Sequence, residues 1–417
     1  MLPVVLSSLL LSSLLLPAVA APPADLVTPT PVDNPDALSG WFLALQRAEA
    51  GEGVARALHY GDSTLAADGL ASTVRDRLQA RFGDAGPGFV PASFLPQWSV
   101  RSDVVGWRQG DWSYKTILYG GGGGRYGLGG IVGIMRSGAS VTVRAVDGSG
   151  EIRPMQHLEA WYQAGVGYGT LSVSLDGATV DSQAAVATAT EDRVLVHDGP
   201  FDKARLRASG GAVPLYGVVL ESGRPGATWE TLSVSGVGSK SFSVYAGEGL
   251  ALQVARRDPD LIVVMLGGNE AGYPVLSVGD GSGYTPIFQA ALDTIRAGAP
   301  DAACLVLSPL DQGEVDEDGH ARSKRGMPNL VARQRDVALD GGCAFWNTWQ
   351  AMGGEGAAVT WGRTRGIGTG DFVHVTGRGL ALLGDALADA LLQAYDAWGG
   401  VEVGGPGTVD GSGAATN

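Results

Sequence analysis

Leu58-His59-Tyr60-Gly61-Asp62-Ser63 runs from apolar and aromatic residues into a small residue, an acid and a hydroxyl. Val54 to Tyr60 reads as a buried strand. Beyond Ser63, the residues Leu70, Val74, Leu78 and Phe82 recur every four positions, one apolar stripe along a helix that Gly83 ends. A strand-to-helix turn of this kind presents its serine at the carboxyl edge of a sheet, with the serine N–H facing the space where a substrate oxygen would sit. Ser63 is therefore a candidate nucleophile. A Gly-Asp-Ser run is also an ordinary turn, so other segments must supply a base, a group that orients the base, and donors for an oxyanion.

Outward from this stretch, a short helix is expected from Trp41 to Gln46, and α/β texture returns from about Leu232. Leu250 and Val254 mark a helix, Leu261 to Leu266 a continuous apolar strand, and Ile287, Ala291 and Ile295 another helix. Strand Cys304 to Ser308, a helical segment from about Pro328 to Leu339, strand Cys343 to Trp346 and a closing helix with Leu380, Leu383, Leu387 and Leu391 follow. Doubly buried strands alternating with helices imply a parallel sheet covered on both sides. Between about Pro91 and Trp229 the runs alternate with period two, as in Ser140 to Val146 and Thr170 to Leu175, the second followed by the hairpin signal Asp176-Gly177. That segment reads as an all-β sandwich of the jelly-roll kind. The expected organisation is a discontinuous α/β domain, residues 41–90 and 231–398, interrupted by a β-sandwich at 91–230. A Pro-rich linker at 21–40 precedes it, and a disordered tail at 399–417 follows.

Residues 1–20 read as an export signal: apolar from Val4 to Leu16, then Pro17 and the small-x-small triplet Ala18-Val19-Ala20. The stretch before it lacks Lys and Arg, so an uncleaved anchor is the alternative. The chain is thus expected in the periplasm or outside the cell, with no membrane span once the signal is removed. A net charge of -14 argues against nucleic acid as a partner, since phosphate binding needs a basic footprint. Gly at 65 of 417 residues is more than twice the usual share and points to many turns. Cys304 and Cys343 are the only cysteines; in an oxidising compartment they can pair, and two buried thiols are the other reading.

Five histidines are available to act as the base. His59 lies inside the strand, His157 and His197 in the β segment, and His320 in a charged loop. Only His374 has an acid at a suitable distance. In Asp371-Phe372-Val373-His374 a loop or first-turn geometry brings the Asp371 carboxylate to the imidazole Nδ1–H, fixing the tautomer. Leu266-Gly267-Gly268-Asn269-Glu270 follows the strongest strand, so the Asn269 amide is a candidate oxyanion donor. In Ser235-Gly236-Val237-Gly238-Ser239, Gly236 offers a backbone N–H that no side chain shields.

In this order the four blocks resemble the SGNH hydrolases, or GDSL esterases. The named residues of that family fall on Ser63, Gly236, Asn269 and His374, with Asp371 as third member of the triad. The resemblance covers about 41–90 and 231–398. It implies a three-layer α/β/α flavodoxin-like fold and ester hydrolysis with no cofactor or metal. Thr64 departs from the commonest form of the first block. Ser63 and Gly236 stand 173 positions apart. Members interrupted at this point by a β-sandwich are similar to bacterial peptidoglycan O-acetylesterases, whose insert resembles a carbohydrate-binding module. Phe82 to Pro91 and Cys343 to Gly354 are also similar to that branch. The partner implied is an acetylated polysaccharide, met by a monomer. The alternatives are an O-acetyltransferase on the same fold and a non-catalytic carbohydrate-binding surface protein.

Three further signals carry less. Gly122 to Gly127 satisfies a dinucleotide pattern but leads into an apparent strand. Glu314, Asp316 and Asp318 mimic a calcium loop, yet Arg325 stands where the closing acid belongs, so a solvated charged loop is expected. Trp98, Trp107, Trp112, Trp161 and Trp229 lie in or beside the β segment, as core or as sugar-stacking rings.

Overall fold

The computed structural model describes residues 26–92, 100–121, 123–245 and 249–400. The export signal, residues 21–25 of the expected linker, Trp98, Gly122 and the tail beyond Gly400 lie outside them. Among the described residues no helix is long and apolar enough to cross a membrane.

A six-stranded sheet runs in the order Val32–Asp33, Ala344–Trp346, Ala303–Leu307, Leu261–Met265, Val54–Gly61, Gly226–Ser233. All neighbours are parallel except the first pair. Because strand side chains alternate, Ala57, Val263 and Leu305 face one layer of helices, Ser39–Glu49, Gly69–Phe82 and Gly377–Trp398. Leu58, Ile262, Val264 and Val306 face the other, with Gly249–Arg257, Thr285–Arg296 and Met327–Asp340. The result is a three-layer α/β/α fold.

The inserted all-β part has two antiparallel sheets. One orders Ala178–Ala184, Thr170–Leu175, Ala204–Ser209, Ser140–Ala145 and Val104–Gln109. The other orders Glu191–Phe201, Met155–Ala164, Val213–Glu221, Ile131–Met135 and Trp112–Thr116, with Gly88–Pro91 also on Val213–Glu221. Val141, Val143, Val173 and Leu206 of the first sheet meet Leu158, Leu195, Leu215 and Val218 of the second. The second sheet's opposite face is buried too: Trp161, Tyr216 and Val219 join Leu58 and Tyr60 in the core of the α/β domain.

Three expectations need correction. Gly226–Ser233 belongs to the α/β sheet, and Gly88–Pro91 to the sandwich, so the sandwich strands run from Gly88 to Glu221 rather than over 91–230. A buried parallel strand and a sandwich strand are both short and β-rich, which is why their texture runs together. The described part of the expected linker is folded: Val32 pairs with Trp346, Leu38 is fully buried, and the Trp346 indole N–H donates to the Thr30 carbonyl at 3.0 Å. Its prolines suit an edge, where ladder donors are not needed. The charged loop after Asp311 is a hairpin, Gly313–Val315 with Ala321–Ser323.

Buried charges lock insert to domain. Arg75, on helix Gly69–Phe82, pairs with Asp68 at 2.9 Å and with Asp103, at the start of the insert, at 3.2 Å. Burial raises the Asp103 carboxyl, but Arg101 and Arg75 outweigh it and hold the group at about 2. A Cys304–Cys343 disulfide joins strand Ala303–Leu307 to the residue just before its parallel neighbour Ala344–Trp346, both half-cystines buried.

Two stability outcomes follow. Arg75→Ala takes from buried Asp68 its cation and leaves Asp103 with Arg101 alone, and is expected to destabilise by roughly 3–5 kcal/mol, read by chemical denaturation. Replacing both cysteines by alanine is expected to remove about 2–4 kcal/mol in the same assay.

Candidate active site

Ser63 opens the short helix Ser63–Ala66 directly after strand Val54–Gly61. Asp62 caps that helix: its Oδ1 accepts the Thr64 N–H at 2.9 Å, which fixes the turn carrying the serine. Burial pushes the Asp62 carboxyl up, opposed by the Thr64 bonds and by the field of His374. Asp62 Oδ2 lies 3.5 Å from the Asn269 amide nitrogen.

Asn269 sits in the turn after strand Leu261–Met265, and its Nδ2 donates to the Val237 carbonyl at 2.8 Å. The longer contact to Asp62 is at the outer limit of a hydrogen bond and leaves that N–H available to a stronger acceptor. The neighbouring Glu270 is fully buried and accepts the Ser239 N–H at 2.5 Å. Burial raises its carboxyl, opposed by the bonds from Ser239. Consecutive residues of one turn therefore grip the segment that carries Gly236. At φ +88, Gly236 adopts a backbone that other residues rarely take, and a Cβ there would lie 3.0 Å from the Leu118 Cδ2.

His374 and Asp371 occupy the loop before helix Gly377–Trp398. Asp371 Oδ2 faces the imidazole Nδ1 at 2.8 Å. Its Oδ1 accepts the backbone N–H of Val373 at 2.9 Å and of His374 at 3.0 Å, and the Thr369 hydroxyl at 2.5 Å. Slight burial raises this carboxyl, but the His374 bond and the other donors outweigh it and hold it well below the usual range. With Nδ1 committed to a carboxylate, Nε2 is left for proton transfer.

Ser63, Asn269, His374 and Val373 line one open cleft of about 340 Å³, together with Gln312 and Lys324. Gly236 is not among the lining residues and is tied to the cleft through Val237 and Asn269. Gln312 and Lys324 escaped the sequence reading: they flank a hairpin too short to show a period. Asp62 was visible only as part of its block.

The remaining histidines lie elsewhere. His59 is fully buried, receives the Trp229 indole N–H at Nδ1 at 3.1 Å, and is lowered to about 3 by burial. Hydrogen bonding to Glu159 and Asp198 raises His157 to about 9, against burial. Trp161 and Trp229 are core residues, whereas Trp107 stays 39% exposed under the Arg144 guanidinium.

Residues 198–382 match the GDSL-like Lipase/Acylhydrolase family, a span that holds Gly236, Asn269, Asp371 and His374 but not Ser63. The matched span covers most of the second part of the α/β domain. The chain also shares its fold with a solved peptidoglycan O-acetylesterase, at 23% identity and a TM-score of 0.73, over 88% of this chain and 99% of that one. Family two carbohydrate esterases from Clostridium thermocellum and Cellvibrio japonicus align more loosely. The first is 12% identical over 64% of this chain and 95% of its own, with a TM-score of 0.27. The second is 14% identical over 70% and 98%, with a TM-score of 0.28. No curated protein sequence matches the chain. The family match begins inside sandwich strand Glu191–Phe201, so the matched span includes strands that the structure assigns to the insert.

In a histidine-resolved NMR titration from pH 8 to pH 5, the His59 ring is expected to stay neutral. The His157 ring is expected to stay protonated until the pH rises toward about 9. A His59 ring that charges near its ordinary value would show that the strand does not bury it.

Proposed function

We propose that the chain is an exported serine esterase that removes O-acetyl groups from a polysaccharide, with peptidoglycan the first candidate. The observation that carries the reading is the His374–Asp371 pair, bonded at 2.8 Å, in the same cleft as Ser63 and Asn269. The fold shared with a peptidoglycan O-acetylesterase supports the substrate class. A structural disulfide fits an oxidising compartment.

In this mechanism Ser63 Oγ attacks the ester carbonyl as His374 Nε2 takes its proton. The tetrahedral oxygen is held by the N–H groups of Ser63 and Gly236 and by the Asn269 amide. His374 then gives the proton to the departing sugar hydroxyl. Water attacks the acyl-serine by the same route, releasing acetate and restoring the serine. Asp371 orients the imidazole and stabilises the imidazolium without taking the proton itself. The inserted sandwich, resembling a carbohydrate-binding module, would hold the glycan beside this cleft.

The test is release of acetate from acetylated peptidoglycan, acetylated xylan and a chromogenic acetate ester, followed beside any transfer of acetyl to added sugar. Hydrolysis is expected to exceed transfer. Ser63→Ala and His374→Ala are expected to abolish it in folded protein, and Asn269→Ala to lower kcat by roughly 10²–10³. Substantial turnover by folded Ser63→Ala would overturn the mechanism, and transfer outrunning release would make the protein an acetyltransferase.

A further inference from the structure

Lys324 stands in the wall of the cleft that holds Ser63 and His374. It directly follows hairpin strand Ala321–Ser323, and Gln312 directly precedes strand Gly313–Val315, so the two residues meet at the base of the hairpin. The Lys324 backbone N–H donates to the Gln312 carbonyl at 2.6 Å, and its Nζ donates to Gln312 Oε1 at 2.9 Å. The Gln312 amide nitrogen donates in turn to the Gly268 carbonyl, one residue before Asn269. The cation is thus held at a fixed place relative to the candidate oxyanion donor.

An ammonium group carries three N–H donors, and Gln312 takes one of them. The nearby Arg322 is paired with Asp316, whereas Lys324 makes no ion pair among the described residues. The carboxylates in and beside the cleft are otherwise engaged: Asp62 caps its helix, Asp371 holds His374, Glu270 accepts the Ser239 N–H, and Asp311 accepts from Ser323, Trp349 and Ala358. A second lysine stands by the same turn: Lys240 Nζ lies 5.4 Å from the ring centroid of Tyr273, which follows the cleft residue Gly272. The chain has only four lysines, and two of them stand by this turn. A cation inside a cleft, fixed by an amide and lacking a carboxylate partner, is suited to a charge brought by the substrate.

We propose that Lys324 is a specificity residue that binds a carboxylate carried by the O-acylated sugar, so that the enzyme prefers esters on acidic sugars to esters on neutral ones. This rests on the esterase reading of the same cleft. The carboxylate can belong to an ether-linked acid substituent, as in a muramic acid unit that bears no peptide, or to the sugar itself, as in a uronic acid. Either would place one oxygen on the free donors of Lys324 while the ester carbonyl meets Ser63.

The experiment compares kcat/KM on two pairs of substrates, O-acetylated N-acetylmuramic acid and O-acetylated galacturonic acid, each beside its primary-amide counterpart. A chromogenic acetate ester serves as the common reference. Wild type is expected to favour the acid over the amide by roughly 10- to 100-fold in at least one pair, and that pair identifies the source of the carboxylate. Lys324→Met is expected to collapse the ratio toward one, mainly through KM, and Lys324→Arg to keep most of it. If Lys324→Met leaves the ratio unchanged while the chromogenic ester is still hydrolysed, the assignment is overturned. The same holds if it lowers acid and amide alike, because that is the mark of a purely structural strut. Failure of the wild type on every acetate ester would instead remove the esterase reading, and this one with it.

Discussion

The parallel pairing of Val54–Gly61 with Gly226–Ser233 is the constraint on which the molecule depends. Eight consecutive pairs hold the strands in register, ending with Gly61 against Ser233. Ser63 lies two residues beyond the first strand and Gly236 three beyond the second, so a fixed register carries two distant segments to one sheet edge. The chain between them makes a long excursion, which closure entropy alone penalises only slowly with length. The sandwich removes even that freedom, because Gly88–Pro91 and Val213–Glu221, near its two ends, pair with each other. The exit and return of the chain are thereby clipped together before the second strand begins.

Charge strengthens the same junction. Arg257 reaches both Glu230, on the returning strand, at 2.5 Å and Glu221, at the end of the sandwich, at 2.7 Å. Arg56, on the first strand, meets Glu221 at 3.2 Å. Breaking such a buried network is costly because each partner left behind keeps its desolvation penalty. Here the network also encodes geometry, since each contact joins two chain segments that the register must align. The clamp at the cleft works on the same logic at smaller scale: Asn269 holds Val237 and Glu270 holds Ser239, so the turn after the returning strand is fixed from the turn after its neighbour.

Legibility in the sequence followed the range of the forces involved. Strands such as Leu261–Met265 announce themselves because both faces are buried, and helix Gly69–Phe82 because its stripe repeats within the chain. Asp371 and His374 were readable because the partners sit three residues apart and a local loop suffices to join them. The limits of the sandwich were not, because whether Gly226–Ser233 pairs with a sandwich strand or with Val54–Gly61 is decided by partners far along the chain. Val32–Asp33 was hidden among prolines for the same reason: its partner lies more than three hundred residues away. Gln312 and Lys324 carry no local pattern, and only the closure of their hairpin sets them in the cleft wall.

The sandwich is part of the protein's core rather than a module on a tether. Its second sheet buries Trp161, Tyr216 and Val219 in one apolar cluster with Leu58, Tyr60 and Ile262 of the α/β sheet. Close packing of that kind fixes relative position, because an apolar interface shaped by interlocking side chains cannot slide without opening voids. The loop after strand Trp112–Thr116 is therefore held where Leu118 meets the turn of Gly236. Two separate demands fall on that glycine, a left-handed backbone and room for a leucine from the insert. A side chain at 236 would press on the sandwich and on the candidate oxyanion turn at once, so the geometry of the cleft and the docking of the insert are one packing problem.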